Sequence, residues 1–408
     1  MALDGTVNAY NTATTRGDVR PNLVTLCGWA GTQRTGAIWS GDQYGGNWEY
    51  IRFHIPTFLG QSLSGNPNAG SDMDGIFSGN PIIATRDYQW KTFTSTMLDM
   101  DGWGSYRKTP FAHGDPYTGI SRMYLKLKAQ LMPYIYTSAA SAANIDTGNG
   151  DTGLPMMRAM FLTDSSDYAL SGAETLNYQF TFGNDLLVAP VYENSKGDGI
   201  GEGDDVRNGI YLPNYNQEGE EPTIWIDYFS GKQYRGGQVL ENYDAPLWKL
   251  PLFVKAGAII PMYEENNNPQ AISKENPDGL DKTKRIVEFW PAGSTEYTLF
   301  EDDGEHIENK VTDVEATASR PTSPMAAISP RTSAPRSRAT RPRSPLMPPR
   351  VRMRAMTPTV APPWSSTFPR CRPPSRAAAR TSRRSTVRTP STSSPTRSPV
   401  GATLRSRT

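Results

Sequence analysis

The chain has 408 residues and a formal net charge of +1, but its charges are very unevenly distributed. No Asp, Glu or Lys follows Glu315, whereas 19 arginines do, so residues 1–315 carry 23 basic against 41 acidic side chains. An acidic body disfavours nucleic acid as a partner. The two cysteines, Cys27 and Cys371, provide neither a disulfide framework nor a cysteine metal site.

The length suits two or three domains, and no segment predicts attachment to a membrane. No run of about 18 apolar residues occurs, as a membrane-spanning helix would require. Residues 1–18 lack the basic and apolar regions of a signal peptide. The sequence therefore predicts no membrane partner, and it gives no indication of cellular location.

In residues 1–180, predicted strands alternate with predicted helices. After a polar start at 1–22, short apolar runs at 23–29 and 36–39 predict two buried strands. The pattern next predicts a helix in which Pro56 introduces a kink or an end, then a short strand within 65–75. A helix at 84–97, a strand end at 98–104 and a long helix from an N-cap at Ser121 to about Ala143 follow. This alternation predicts the C-terminal part of a parallel (β/α)₈ barrel, whose site lies at the carboxyl ends of the strands.

After residue 180 the pattern becomes all-β. Short apolar runs at 185–191, 223–227, 250–254 and 258–260 are separated by Gly, Pro and Asn. They predict a β-sandwich-like domain at 181–262, and two further runs at 285–290 and 296–300 predict a truncated β domain at 263–315. The predicted fold class is thus α/β, a partial barrel followed by all-β domains.

Residues 316–408 are dominated by Arg, Ser, Pro, Thr and Ala, with almost no periodicity. Such a segment buries too little apolar surface to offset the entropy of ordering it, so we expect a disordered tail. The abrupt loss of Lys, Asp and Glu favours the hypothesis that the tail is translated from a shifted reading frame. The alternative is a basic disordered arm that binds nucleic acid.

Carboxylates in Gly-rich turns are the candidates for chemistry. Asp42 lies close to Trp39, and an aromatic wall of this kind would keep a catalytic acid protonated and stack on a sugar. The alternative is that Asp42 only stabilises its turn. Asp72 and Asp74, two residues apart, would point to opposite sides of an extended chain and are equally typical of turn chemistry.

Other polar and aromatic residues give weaker signals. Trp103, between two glycines, is either a sugar platform or a packed lid, and His54 on the predicted helix is expected to be structural. Asp99 and Asp101 have the same ambiguity as Asp72 and Asp74. The spacing matches no metal-binding loop, so no metal and no cofactor are predicted.

Taken in order, these stretches resemble glycoside hydrolase family 31, the α-glucosidase and α-transglucosidase family. The resemblance covers roughly residues 20–305 and rests on segments 28–34 with 38–42, 70–77, 131–136 with 154–158, 182–191 and 255–261. It implies a retaining glycosidase that works through a glycosyl-aspartate intermediate on a (β/α)₈ barrel. It further implies that Asp42 is the general acid/base, that Trp39 lines the neighbouring subsite, and that Asp72 lies near the bound glucosyl unit.

The sequence departs from the family pattern in three places. Nothing before Leu23 resembles the strand that carries the family's nucleophile, so we expect a C-terminal fragment that lacks it and is inactive. Leu26 and Cys27 replace an arginine common in the family, and Trp103 lies where many members have an Arg-Asn-His segment. Three further functions stay open, namely an α-glucosyltransferase of the same family, a non-catalytic carbohydrate-binding protein, and nucleic-acid binding by the tail. The expected partner is an α-linked glucoside or glucan.

Overall fold

The computed structural model describes most of the chain up to residue 304. The described residues are 20, 23–26, 28, 30–34, 36–77, 79–100, 102, 108–171, 174–197, 199–216, 218–302 and 304, together with the strand backbone at 312–318 and 350–355. All of them belong to the first of two units, Met1–Pro363 and Trp364–Thr408. Trp103, Asp101 and Cys27 lie outside the described residues.

The first half of the chain builds a parallel β/α arrangement. Strands β1 (Val24–Leu26), β2 (Ala37–Trp39) and β3 (Ala69–Gly70) pair in parallel in that order. Helix α1 (Trp48–Leu63) connects β2 to β3, and helix α2 (Pro81–Lys91) follows β3. Beyond α2, Leu98 forms a further parallel bridge with Asp72. Parallel neighbours joined through helices confirm the predicted partial barrel.

Helix α1 continues past Pro56, so the expectation that the helix ends there is wrong. The Asn47 side chain caps the helix by accepting from the Tyr50 N–H. The helix then runs seven residues past Pro56 to Leu63. Proline removes one backbone hydrogen bond, but the buried face that includes Ile51 and Ile55 holds the helix against the core.

The later helices differ from the predicted boundaries. Helix α2 begins at Pro81, because the Asn80 side chain accepts from the Ile82 and Ile83 N–H groups, and it ends at Lys91. The predicted long helix is two helices, α3 (Tyr117–Gln130) and α4 (Met132–Ala142). Ser121 is therefore a buried residue inside α3 and not its cap. A single-turn helix, α5 (Asp167–Leu170), and 3₁₀ segments at Thr32–Arg34, Met160–Leu162 and Glu174–Tyr178 complete the described helices.

The second half is built from strands, as predicted. The strands are β4 (Met157–Arg158), β5 (Phe180–Phe182), β6 (Leu186–Val188), β7 (Val206–Arg207), β8 (Ile210–Leu212), β9 (Ile224–Asp227), β10 (Gln233–Arg235), β11 (Gln238–Leu240), β12 (Tyr243–Asp244), β13 (Leu252–Lys255), β14 (Ile259–Met262), β15 (Lys284–Phe289) and β16 (Thr295–Glu301). One six-stranded antiparallel sheet has the order β10-β9-β13-β6-β5-β4, and further antiparallel pairs join β11 with β8, β12 with β7, and β14 with β15.

Most of the segment predicted to be a disordered tail lies outside the described residues. Two strands reach into it, β17 (Thr312–Ala318), which pairs with β16, and β18 (Arg350–Ala355), which pairs with β15. The domain boundaries stay a prediction, although β4 already pairs with β5 across residue 180. In the described part of the chain, no helix is long and apolar enough to cross a membrane.

Helix α2 joins the two halves. All its side chains from Ile83 to Lys91 are buried. The Arg86 guanidinium donates to the carbonyl oxygens of Ala245 at 2.6 Å and Lys249 at 3.1 Å, both in the β-rich half. A buried guanidinium needs such acceptors, since an unpaired one would be costly. The helix that underlies the candidate site is therefore also fixed to the second half of the chain.

Candidate active site

The candidate site lies at the carboxyl ends of β2 and β3. Trp39 is the last residue of β2, Asp42 lies in the turn that follows, and Asp72 comes two residues after β3. The Ser40 N–H donates to the Gly70 carbonyl oxygen at 3.0 Å, which extends the pairing beyond the strand ends. The carboxyl ends of parallel strands share one edge of the sheet, so both aspartates belong to the same edge.

Trp39 and Asp72 are joined directly. The indole Nε1–H donates to Asp72 Oδ2 at 2.8 Å. Trp39 is half-buried and Asp72 is only 1% exposed, whereas Asp42 is exposed. The water-poor wall expected beside Asp42 is therefore not formed by the described residues, and Trp39 is bonded to the other carboxylate instead.

Burial raises the pKa of the Asp72 carboxyl, while the Trp39 hydrogen bond and the nearby Lys108 and Lys91 ammonium groups lower it in part. Its second oxygen, Oδ1, is buried and has no hydrogen-bond partner among the described residues. Buried polar atoms are nearly always paired, so an unpaired carboxylate oxygen at a strand end is a natural acceptor for a ligand hydroxyl.

The backbone of Asp72 is held from below by α1 and α2. The Tyr50 hydroxyl, from α1, donates to the Asp72 carbonyl oxygen, and so does Lys91 Nζ, from α2, at 2.8 Å. Lys91 Nζ also donates to Asp87 Oδ2 at 2.5 Å, and both side chains of this ion pair are fully buried. Asp72 is thus positioned by a buried charged network.

Asp74 serves the loops and not the strand edge. It has a left-handed φ of 54°, and its two carboxylate oxygens accept from the Gly46 N–H at 2.6 Å and the Asn80 N–H at 3.0 Å. Its own N–H donates to Asp87 Oδ2 at 2.8 Å. Asp72 and Asp74 therefore contact different groups. Asp74 stabilises loops by accepting backbone hydrogen bonds, which is the structural role that its sequence context also allowed.

His54 is a structural residue, as expected. Its Nδ1 lies 2.8 Å from the Tyr50 carbonyl oxygen, which can only accept, so we assign the ring proton to Nδ1. Nε2 then accepts from the Ser40 hydroxyl at 3.2 Å. Burial, reinforced by the Lys91 ammonium, lowers the pKa of His54 to about 3. A neutral imidazole here braces the end of β2.

Asp99, which is as ambiguous in the sequence as Asp72 and Asp74, lies beside the network. The Tyr88 hydroxyl donates to Asp99 Oδ2, and Lys108 Nζ lies 3.8 Å from Oδ1. Lys108 also donates to the Met73 carbonyl oxygen at 3.0 Å. Trp103 and Asp101 lie outside the described residues, so the roles predicted for them stay predictions.

Sequence reasoning missed the charged residues beneath the site, Asp87, Lys91 and Lys108. The available signal was an Asp and a Lys four residues apart within α2, a helix whose other residues include Ile, Tyr and Trp. As for metals, no group of three His, Cys, Asp or Glu side chains in the described ranges could hold an ion.

Comparison with known proteins gives two consistent family matches. The model of the "Glycosyl hydrolases family 31 TIM-barrel domain" matches residues 3–138, and that of the "Glycosyl hydrolase family 31 C-terminal domain" matches residues 153–260. Together the matches cover more than half of the chain.

Individual relatives agree with these matches. Alpha-glucosidase 2 of Bacillus thermoamyloliquefaciens is 30% identical over 289 residues, which cover 70% of this chain and 32% of that protein. Alpha-xylosidase of Saccharolobus solfataricus is 29% identical over 69% of this chain and 34% of its own length. The structure of a Flavobacterium johnsoniae dextranase complexed with glucose has a TM-score of 0.60 and 28% identity, covering 78% of this chain and 37% of that one. The chain spans about a third of the length of these relatives.

Proposed function

Because the chain belongs to glycoside hydrolase family 31, we propose that it carries the acid/base part of a retaining α-glucoside hydrolase. Asp42 is the general acid/base, and Trp39 and Asp72 bind the glucosyl unit beside it. Relatives are named as an alpha-glucosidase, an alpha-xylosidase and a dextranase. The substrate class we propose is therefore an α-linked glucoside or glucan, without a particular linkage.

One observation carries the proposal, namely that the half-buried Trp39 is hydrogen-bonded to the buried Asp72 at the strand edge where the exposed Asp42 also lies. Asp72 Oδ1 can accept a sugar hydroxyl, because its other oxygen already takes the Trp39 indole proton. Asp42 is accessible, as a group that gives and takes protons must be. The two carboxylates thus occupy environments suited to different tasks, one to binding and one to proton transfer.

The proposed reaction follows the retaining scheme. Asp42 donates its proton to the glycosidic oxygen as the bond to the anomeric carbon breaks, and a second carboxylate forms a bond to that carbon. Asp42 then takes a proton from water, whose oxygen displaces the enzyme carboxylate. Asp74 is not assigned as that nucleophile, because both its oxygens accept backbone N–H groups. Asp72 is bonded to Trp39, so the nucleophile is assigned to a carboxylate beyond the described residues.

Because nothing before Leu23 resembles the strand that carries the family's nucleophile, we propose that the 408-residue chain by itself binds a saccharide and does not turn it over. Loss of one member of a catalytic pair removes most of the rate enhancement. The test compares cleavage of an aryl α-glucoside by the chain with cleavage by Asp42→Asn, and measures maltose binding by saturation-transfer NMR. We expect equal, background cleavage rates, and a maltose signal that weakens in Asp72→Asn. Cleavage well above the Asp42→Asn rate would refute the missing nucleophile, whereas a maltose signal unchanged in Asp72→Asn would refute the binding site.

A carbohydrate-binding protein without catalysis is the second candidate. It is favoured by the same pair, because Trp39 and Asp72 form a preformed binding element that does not need Asp42. The two candidates differ in one measurement. A longer form of the chain that includes a nucleophile-bearing strand would cleave the aryl glucoside in the first case and would only bind it in the second. A glucosyltransferase would instead pass the glucosyl unit to an added sugar in preference to water.

A further inference from the structure

The β-rich half contains a cavity that shares no residue with the site at Asp42. Its volume is about 460 Å³, and it lies between the hairpin β9–β10 and the connection from β11 to β12. Pockets that bind small molecules typically have about 300 to 1,000 Å³. The cavity is thus of a size to hold a mono- or disaccharide.

The floor of the cavity is a fixed polar cluster around Asp227. Its Oδ2 accepts from Lys249 Nζ at 2.9 Å and from the Tyr243 hydroxyl at 2.5 Å, and its Oδ1 accepts from the Phe229 and Ser230 N–H groups. The Lys249 ammonium holds the pKa of Asp227 below its usual value, with the Tyr243 hydrogen bond adding to the effect. Both carboxylate oxygens of Asp227 therefore already accept two hydrogen bonds each, and the residue fixes the side chains of Lys249 and Tyr243.

Lys249 has donor capacity that Asp227 does not use. An ammonium group has three N–H donors, and the hydrogen bonds among the described residues give Lys249 one side-chain acceptor, Asp227. Its Nζ lies 4.5 Å from the centre of the Tyr243 ring, and the side chain keeps 11% exposure where it lines the cavity. A ligand oxygen in the cavity can accept from it.

The rim combines acceptors, donors and an aromatic ring. Two exposed carboxylates, Glu241 and Asp244, and one exposed ammonium, that of Lys232, line the cavity. The half-buried Tyr234 ring lines it too, with Lys232 Nζ 4.8 Å from its centre. Two ammonium groups against three carboxylates leave a slight negative charge, which disfavours an anion.

We propose that this cavity is a second binding site, and that its ligand is a neutral saccharide. Sugar hydroxyls both donate and accept, so they match carboxylates and ammonium groups presented together, whereas a phosphate matches only the ammonium groups. The Tyr234 ring offers an apolar contact for the C–H face of the sugar. The cavity does not depend on the proposed hydrolysis, because Asp42 and Asp72 take no part in it.

The wall of the cavity is preorganised, which reduces the entropy lost on binding. Asn242 has a left-handed φ of 51°, and its N–H donates to Asn208 Oδ1 at 2.7 Å. Glu241 Oε2 accepts from the Gly209 N–H at 3.0 Å, which leaves Oε1 for a ligand hydroxyl. The turn that carries Glu241 and leads into Asp244 on β12 is therefore held in place by these hydrogen bonds.

The test measures maltose binding to the full chain in an Asp72→Asn background, so that the site near Asp42 contributes little. Tyr234→Leu and Asp244→Asn should each weaken binding about tenfold, whereas Gln233→Ala, on the same strand but outside the cavity, should leave it unchanged. Calorimetric titration gives the Kd, and thermal unfolding shows that each variant folds.

If Tyr234→Leu fails to fold, Asp244→Asn alone decides the outcome, since Asp244 is exposed. Three results overturn the proposal: no maltose binding in the background chain, equal binding in Asp244→Asn and Gln233→Ala, or tighter binding of inorganic phosphate than of maltose. None of these results bears on Asp42, so the proposed hydrolase function stands or falls separately.

Discussion

Replacing Lys91 with Met should destabilise the chain far more than the same replacement at a surface lysine. Lys91 and Asp87 form an ion pair of 2.5 Å in which neither side chain has any exposure. The substitution keeps the length of the side chain and removes its charge. Asp87 then stays buried, and among the described residues its remaining donors are the Asp74 N–H and the Trp90 Nε1–H, at 2.8 Å each.

The expected magnitude follows from this burial. Removing one partner of a buried ion pair typically costs about 3–5 kcal/mol, because the remaining charge is left uncompensated. The Asp72 carbonyl oxygen also loses its 2.8 Å donor, although the Tyr50 hydroxyl remains. Since a domain is stable by only about 5–15 kcal/mol, Lys91→Met should remove a large part of the total.

Lys126 is the matched control. Its Nζ lies 2.6 Å from Glu265 Oε1, but the two side chains are 21% and 39% exposed. Such a pair is typically worth about 0–1 kcal/mol. Urea unfolding, followed by far-ultraviolet circular dichroism, gives both free energies of unfolding. Equal costs for Lys91→Met and Lys126→Met would refute the argument.

A second variant tests the cause. In Asp87→Asn with Lys91→Met, the uncompensated charge is gone and an amide oxygen remains as an acceptor. The double variant should therefore be more stable than Lys91→Met alone. If Lys91→Met acted only through lost packing, the added Asp87→Asn would not restore stability. A double variant less stable than Lys91→Met would show that the hydrogen bonds of Asp87, and not its charge, dominate.

Three further predictions concern His54, two glycines and Trp39. His54 has a folded pKa of about 3 against 6.5 unfolded, so the unfolded state binds the extra proton and stability falls as pH decreases below 6.5. Between pH 7 and pH 5 the loss is about 2 kcal/mol, and urea titrations of His54→Gln should lack it. Gly45→Ala should unfold at a lower urea concentration than the parent, because its Cβ would overlap the backbone of Asp74. Gly60→Ala lies within α1, where a Cβ meets no neighbouring atom, so its free energy of unfolding should rise by about 0.5–1 kcal/mol. Trp39→Phe should weaken maltose binding in NMR titrations and cost about 1–3 kcal/mol in urea, because it leaves Asp72 without its donor; unchanged binding would contradict its role.

The sequence predicts those parts of the fold that depend on local patterns. The strand that ends at Trp39 follows from an apolar run that stops at a glycine-rich turn, and the β structure after residue 180 follows from short apolar runs. A helix end at Pro56 and an N-cap at Ser121 are the two expectations that intrinsic preference gets wrong. A buried apolar face carries α1 through Pro56, and α3 begins four residues before Ser121.

The network beneath the site could not be predicted in the same way. Lys108 reaches the Met73 carbonyl oxygen 35 residues away in the chain, and Lys91 reaches that of Asp72. No periodicity encodes such contacts, because they depend on how β3, α2 and the following segment pack together. The i,i+4 spacing of Asp87 and Lys91 indicates an ion pair, but the same spacing is typical of an exposed helix face.

The two aspartates at the strand edge differ in a way that spacing alone conceals. Asp72 is buried, is bonded to Trp39, and has its backbone held by Lys91 and Tyr50, so it is costly to move and costly to leave unpaired. Asp42 is exposed and lies in the turn after β2, whose Gly41 has a φ of 90°, a left-handed conformation that suits glycine. A binding group benefits from rigidity, whereas a proton-transfer group needs access to the leaving oxygen and to water. The proposed division of roles between Asp72 and Asp42 is therefore supported by the difference between a buried, fixed carboxylate and an exposed one.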